Sequence, residues 1–312
     1  MQDTDLPFTD EIETPQQEAP QAEQPWSTYP AIVADLDAAT YHRHPAVSKH
    51  GLDAFRKAPA YYQWQRANHK APTPAMSFGS LYHTVVLEPE TLTQLYAVVP
   101  EDAPKRPTRV QREAAKPSLS TIEAIAWWED FERATSGKQI MDQGEINKCH
   151  AMRAALLRNK AAANALEERL YTEASLFWLD GQTGVQCRAR PDIIRADGLV
   201  VDVKTCADAS PDAFQRAAWN FGYYRQAAYY LHALETITGE RPKAFVFVAQ
   251  ETEPPYLNAV YVASPTMIEV GMGEIREDLR RFAKCLQTGV WPGLPEAPQE
   301  LTIPAWAMPK QA

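Results

Sequence analysis

The hydrophobic pattern divides the chain into a largely helical first half and a mixed second half. From Ser48 to Asn68 it predicts a helix broken near Pro59, since proline removes an amide and clashes with the preceding turn. A second helix is predicted over Met76 to Leu87, a short strand over Tyr96 to Val99, and a loop region over Pro100 to Pro117. Helices follow over Leu119 to Ala134 and Gln143 to Leu170. Short runs rich in β-branched and aromatic residues then take over. Strands are predicted over Thr172 to Leu179, over the two runs VQCRARPDII and LVVDVKT, and over Lys243 to Gln250 and Tyr256 to Ala263. Phe214 to Thr238 reads as largely helical, and a last helix spans Pro265 to Thr288, ending before Gly289. This order predicts an α/β fold with a central mixed β-sheet flanked by helices.

The two runs around Ala196, Asp197 and Gly198 read as a hairpin. A three-residue loop with Gly198 in the left-handed region is a common closure. Its register sets Asp192 opposite Asp202, with Cβ atoms roughly 5 Å apart. Alternation then puts Lys204, Arg188 and Arg190 on the same face, and Val201 and Val203 toward the core. A two-residue Asp197-Gly198 turn would shift the register by one and turn Asp192 to the other face. Pro191 cannot donate a ladder hydrogen bond, so its strand should be irregular there.

Two adjacent carboxylates repel unless something positive sits between them, and a hard divalent cation is the usual answer. A lysine beside it can hold a water or stabilise a pentavalent phosphate. The combination suits metal-assisted phosphodiester hydrolysis. The competing reading is a surface hairpin with ordinary ion pairs, and Asp-x-Lys alone does not decide between them.

Pro191-Asp192 followed by Asp202-Val203-Lys204 resembles the PD-(D/E)xK nuclease superfamily, with its restriction-endonuclease-like core. The lead-in RARPD resembles the exodeoxyribonuclease VIII (RecE-type) exonucleases of the RecB-like branch. Three further marks of that branch occur in order: Gly79 and His83 in GSLYH, Glu173 on the strand before, and Gln226 and Tyr230 in QAAYY. One departure is Ala189, where the branch pattern has glycine. The resemblance implies Mg²⁺, with Mn²⁺ substituting, held by Asp192 and Asp202. The Val203 carbonyl, His83 and Glu173 would complete one or two metal sites. Lys204 would orient the attacking water, while Arg188, Arg190, Gln226 and Tyr230 position the strand. It also implies a 5′→3′ exonuclease acting on double-stranded DNA ends and leaving 3′ overhangs. A ring-shaped homotetramer and a single-strand annealing partner of the RecT type go with it. The competitors are an endonuclease or RecB-like repair nuclease, and a catalytically silent DNA-binding recombination protein. The last is disfavoured because every acidic and basic motif position is filled.

With 312 residues and 45% hydrophobic content, the chain can form one large domain. We read residues 1–27 as a disordered acidic tail, 28–290 as the nuclease domain, and 291–312 as a C-terminal strap carrying Trp291 and Trp306. A net charge of -9 argues against a DNA enzyme until it is located. Nine of the 40 acidic residues lie in the first 40 positions, which hold no Lys or Arg; the other 31 acids match the 31 bases. Lys105, Arg106, Arg109 and Arg112, with Lys116, make a locally positive segment against Glu101, Asp102 and Glu113. It reads as a phosphate-contacting element or a solvated face. Tyr61, Tyr62 and Trp64 read as packing aromatics ahead of base-stacking ones. Cys149, Cys187, Cys206 and Cys285 are far apart without C-x-x-C, which predicts reduced thiols and no iron–sulfur cluster. No apolar run reaches bilayer length and the N-terminus is acidic, so the expectation is a cytoplasmic protein with no membrane partner.

Overall fold

The computed structural model describes residues 29–68 and 71–303. The acidic tail and Trp306 therefore lie outside the described residues. The chain opens with β1 (Ala31–Val33), α1 (Ala38–Arg43), α2 (Lys49–Lys57), α3 (Pro59–Ala67) and α4 (Pro74–Leu87). Next come α5 (Leu92–Leu95), β2 (Tyr96–Val98), α6 (Arg109–Arg112), α7 (Leu119–Ala134), β3 (Gln139–Met141), α8 (Gln143–Arg158) and α9 (Lys160–Ala165). The strand-rich part holds β4 (Arg169–Thr172), β5 (Ser175–Leu179), β6 (Gln186–Ala189), β7 (Ile193–Arg195) and β8 (Leu199–Cys206). It closes with α10 (Pro211–Asn220), α11 (Tyr223–Thr238), β9 (Ala244–Glu251), β10 (Asn258–Val262) and α12 (Pro265–Thr288).

Local chemistry explains where predicted elements break. The helix expected to reach Leu170 stops at Arg158, because the Asn159 side chain accepts from the Ala161 and Ala162 amides and starts α9. The expected loop over 100–117 contains α6, fixed by a reciprocal capping box between Thr108 and Gln111. The helix expected over Phe214 to Thr238 is two helices, split at Phe221 and Gly222.

The central sheet runs β10-β9-β8-β7-β4, with β8 and β9 parallel and the other pairs antiparallel. The parallel pair is joined through α10 and α11, as a parallel crossover requires. Alternation along β8 and β9 buries both faces. Val200, Phe245, Phe247 and Ala249 pack with α2, α11 and α12, including Phe55, Tyr229 and Phe282. Val201, Val203, Val246 and Val248 pack with α4 and α8, including Leu81, Val85, Met152 and Leu156. Trp291 packs against Phe55, Tyr62 and Phe282, while Trp64 stacks on Tyr61 at the surface. Among the described residues no helix is long and apolar enough to cross a membrane.

The hairpin has the three-residue loop. Ile193 pairs with Val201 and Ile194 with Val200, and Gly198 sits at φ +85° with its amide donating to Arg195 O at 3.1 Å. The run before it, however, is two strands. β6 pairs with β5 in a three-stranded sheet ordered β1-β5-β6, whereas β7 belongs to the central sheet. The chain changes sheets across Arg190, Pro191 and Asp192, so facing counted by alternation through Pro191 fails. Arg188 does not share the Asp192 face. The strand expected over Thr172 to Leu179 breaks in the same way at Glu173, between β4 and β5, with φ +50°. The two crossings lie side by side: the Glu173 amide donates to Asp192 O at 2.9 Å.

Candidate active site

β7 begins at Ile193, so the Val203 amide on β8 faces no strand carbonyl. The carboxylate of Asp192 takes its place, with Oδ2 accepting from Val203 N at 2.6 Å. Asp202, 1% exposed, is held from the α11 side: its Oδ1 accepts from Gln226 Nε2 at 2.6 Å. Its Oδ2 forms an ion pair with Lys204 Nζ at 2.5 Å. Lys204 Nζ also stands 5.0 Å from the ring centre of Tyr223. Burial works against the lysine charge, but Asp202 and Asp192 outweigh it and raise the pKa above the ordinary value. Lys204 is therefore a cation and a donor at neutral pH.

His83 comes from α4, which packs on the opposite face of the sheet. Its Nε2 lies 2.9 Å from Val203 O. A carbonyl only accepts, so Nε2 carries the proton and Nδ1 points to Glu173 (3.8 Å) and Asp192 (3.7 Å). Ligand atoms of His83, Glu173 and Asp192 all lie within 4.8 Å of one another. The left-handed backbone of Glu173 costs about 1–2 kcal/mol for a residue with a Cβ. Its amide bond to Asp192 O holds that conformation in place.

The cluster is short of positive charge. Burial, together with Asp202 and Glu173, pushes Asp192 up to about 7 against the opposing effect of His83. Burial opposes the His83 charge, yet Asp192 and Glu173 lift it to about 9. Protons here do what a divalent cation would do better. The two carboxylates of Glu173 and Asp192 with the His83 imidazole make a donor set that fits a hard divalent ion.

The other expected site residues divide. Gln226, expected to position the strand, is buried and spends its amide on Asp202, where it orients a carboxylate. Tyr230 is buried beside Gln226, near both aspartates, with its pKa raised well above 10 mainly by burial. Arg188, expected to contact DNA, spends its guanidinium inside the protein. It is 8% exposed, and its guanidinium donates to the Tyr41 and His44 carbonyls and lies over the Tyr41 ring. Arg190 is half-buried and donates to Ser175 Oγ and Leu36 O. Asp202 lies outside the tight His83, Glu173, Asp192 group, and the Val203 carbonyl, expected as a ligand, is engaged by His83. Lys105, Arg106, Arg109 and Arg112 are exposed around α6. Arg106 pairs with Glu132 over the Trp128 ring and Arg109 pairs with Glu113, which reduces the charge those two offer, while Arg112 donates to Pro107 O.

Two residues at the site escaped the sequence reading. Tyr223, at the start of α11, lies against Lys204. Lys49, at the start of α2, is 2% exposed and bonds Phe221 O at 3.0 Å and Asp53 at 2.7 Å. One local signal was available: a lysine in a first helical turn opposes the helix dipole.

Over residues 48–300 the sequence matches the family described as "PDDEXK-like domain of unknown function (DUF3799)". Among solved structures, the chain resembles a candidate exonuclease from Eubacterium rectale, with a TM-score of 0.57 and 12% identity over 86% of this chain and 96% of that one. At that identity the likeness is one of fold. An alkaline exonuclease from Laribacter hongkongensis aligns with 58% of this chain and 90% of its own at 16% identity, with a TM-score of 0.24, too low to carry an argument. No curated protein matches the sequence.

Proposed function

The chain belongs to the PDDEXK-like DUF3799 family, whose fold it has, and from that footing we propose that it is a Mg²⁺-dependent DNA exonuclease. The observation that carries the reading is the convergence of His83, Glu173 and Asp192 beside the buried Asp202 and its cationic partner Lys204. Asp192, Glu173, His83 and Asp202 would hold the ion, with Mn²⁺ able to replace Mg²⁺. Bound there, a divalent ion supplies Lewis acidity and a bound water of lowered pKa.

The protein's own groups do the positioning. Gln226 fixes the rotation of the Asp202 carboxylate, and the Val203 amide fixes that of Asp192. Val203 O holds His83 with Nδ1 turned inward. Lys204, kept protonated by the two aspartates, donates to a water or to a phosphate oxygen that gains charge in the transition state. The burial of Asp192, Asp202 and Gln226 keeps bulk water from these contacts and strengthens them.

The sequence resemblance supports the finer reading: 5′→3′ degradation of linear duplex DNA, leaving 3′ overhangs for recombination with a single-strand annealing protein of the RecT type. A ring-shaped homotetramer suits the charge distribution, since a near-neutral body needs several copies of its local bases around one duplex. The working unit would be residues 28–290, with the acidic tail 1–27 and the strap from 291, in the cytoplasm. End-labelled linear duplex and covalently closed circles, each digested with Mg²⁺, test the reading. Loss of label from the 5′ end with circles intact is expected. Rapid cutting of closed circles would replace the exonuclease with an endonuclease, and no metal-dependent hydrolysis would remove the nuclease reading.

A further inference from the structure

Two aromatic rings lead outward from Lys204. Tyr223 is the inner one, half-buried against Phe214 and Phe247. Phe221 is the outer one, with ring centre 5.8 Å from Tyr223, a tilt of 30° and 65% exposure. The segment carrying it is tightly fixed. The Phe221 amide donates to Ala217 O at 2.9 Å, and its carbonyl accepts from Lys49 Nζ at 3.0 Å. Gly222 follows at φ +65°, its amide donating to Trp219 O, and a Cβ there would come within 3.3 Å of Lys49 Nζ.

Burying Lys49 is costly, and burial lowers its pKa despite the pairing with Asp53. Such a tether fixes the backbone that carries a large ring the core does not use. Scattered exposed apolar side chains need no explanation, but a ring carried on a fixed backbone, one ring removed from the Lys204 cation, does. Trp219, two residues earlier, lines a separate groove with Tyr224, Val262 and Met267, of which Phe221 is not part.

We infer that Phe221 is a stacking platform for a nucleobase adjoining the phosphate received at Lys204. The inference rests on the nuclease reading. A nucleotide whose phosphate meets Lys204 carries its base outward past Tyr223 to the Phe221 face. Every base presents a π-face, so the contact would position DNA without selecting sequence.

Phe221→Ala, Phe221→Leu and Phe221→Trp, each checked for an unchanged melting temperature, should be assayed on an oligonucleotide and on the same strand with abasic nucleotides flanking the scissile phosphate. Alanine and leucine should lower kcat/KM on the intact strand by about tenfold, and tryptophan should restore it. On the abasic strand the difference between variants and wild type should vanish. An equal loss on both strands, or none on the intact strand, overturns the stacking role while leaving the nuclease reading in place. Failure of the wild type to hydrolyse intact DNA overturns the nuclease reading and the inference together.

Discussion

Val203 donates its amide proton to the carboxylate of Asp192 at 2.6 Å, where a backbone carbonyl would stand if β7 began earlier. One side chain thus ends a strand ladder and faces the candidate ion site. Fold and chemistry can be separated by choosing the substitution.

Asp192→Asn keeps an oxygen for the Val203 amide and removes a buried charge, so metal-free stability should equal or exceed that of the wild type. Asp192→Ala orphans that amide and should cost about 1–3 kcal/mol. Both should lose hydrolysis by roughly a hundredfold or more. Urea melts and end-label release check this; an alanine variant as stable as asparagine would break the argument.

Metal binding should be visible without turnover. Mg²⁺ or Mn²⁺ at a hundred times its Kd should stabilise the protein by about 2.7 kcal/mol, and Asp192→Asn should show little of this. Calcium should bind without supporting hydrolysis because its looser geometry positions water poorly. Thermal melts with each ion, beside DNA digestion, give the answer. Chelation should abolish activity, and so should Asp202→Asn or Lys204→Ala under saturating Mg²⁺.

Arginines 188 and 112 should behave oppositely. Arg188→Met removes the guanidinium's hydrogen bonds to the Tyr41 and His44 carbonyls and should destabilise by about 1–3 kcal/mol. Arg112→Ala, or Lys105→Ala, should leave the melt unchanged. If these residues touch phosphates, each should reduce the slope of log K against log salt by about 0.9. An unchanged slope in all of them would remove the segment from the DNA path.

His44 gives a pH signature away from the ion site. Burial, with Arg188 and Arg66 nearby, depresses its pKa to about 4, and Nδ1 accepts from Ala46 N at 3.1 Å. Between pH 6.5 and 4 the unfolded chain binds a proton there that the folded one refuses. Stability is therefore complete above 6.5 and falls by about 2–3 kcal/mol as pH drops through that window. His44→Asn, which keeps an acceptor, should flatten this part of the curve. Parallel slopes for the two proteins would refute the assignment.

Much of this protein is written locally. Helix bounds such as Leu119 to Ala134 and Pro265 to Thr288 follow from periodicity and caps, and the Gly198 loop follows from turn chemistry. Register across a short loop is a local property, so the pairing of β7 with β8 that brings Asp192 toward Asp202 was legible. The RecB-like marks put His83, Glu173, Asp192, Asp202, Lys204 and Gln226 near one another in the reading, and the structure brings them together around Asp202, Val203 and Lys204 of β8.

What the sequence could not settle is what each polar side chain spends its bonds on. Arg188 and Asp192 looked alike in facing because alternation says nothing of a chain that leaves one sheet for another at Pro191. Arg188 was drawn into carbonyls contributed by the α1 end, 144 or more residues away in the chain. Lys49 was drawn to Phe221 O, 172 residues away. Buried polar groups must find partners, and those partners come from whichever backbone the tertiary packing brings close. That is why the hairpin could be read from its own residues, whereas the roles of Arg188, Gln226, Lys49 and Phe221 were decided only by the folded chain.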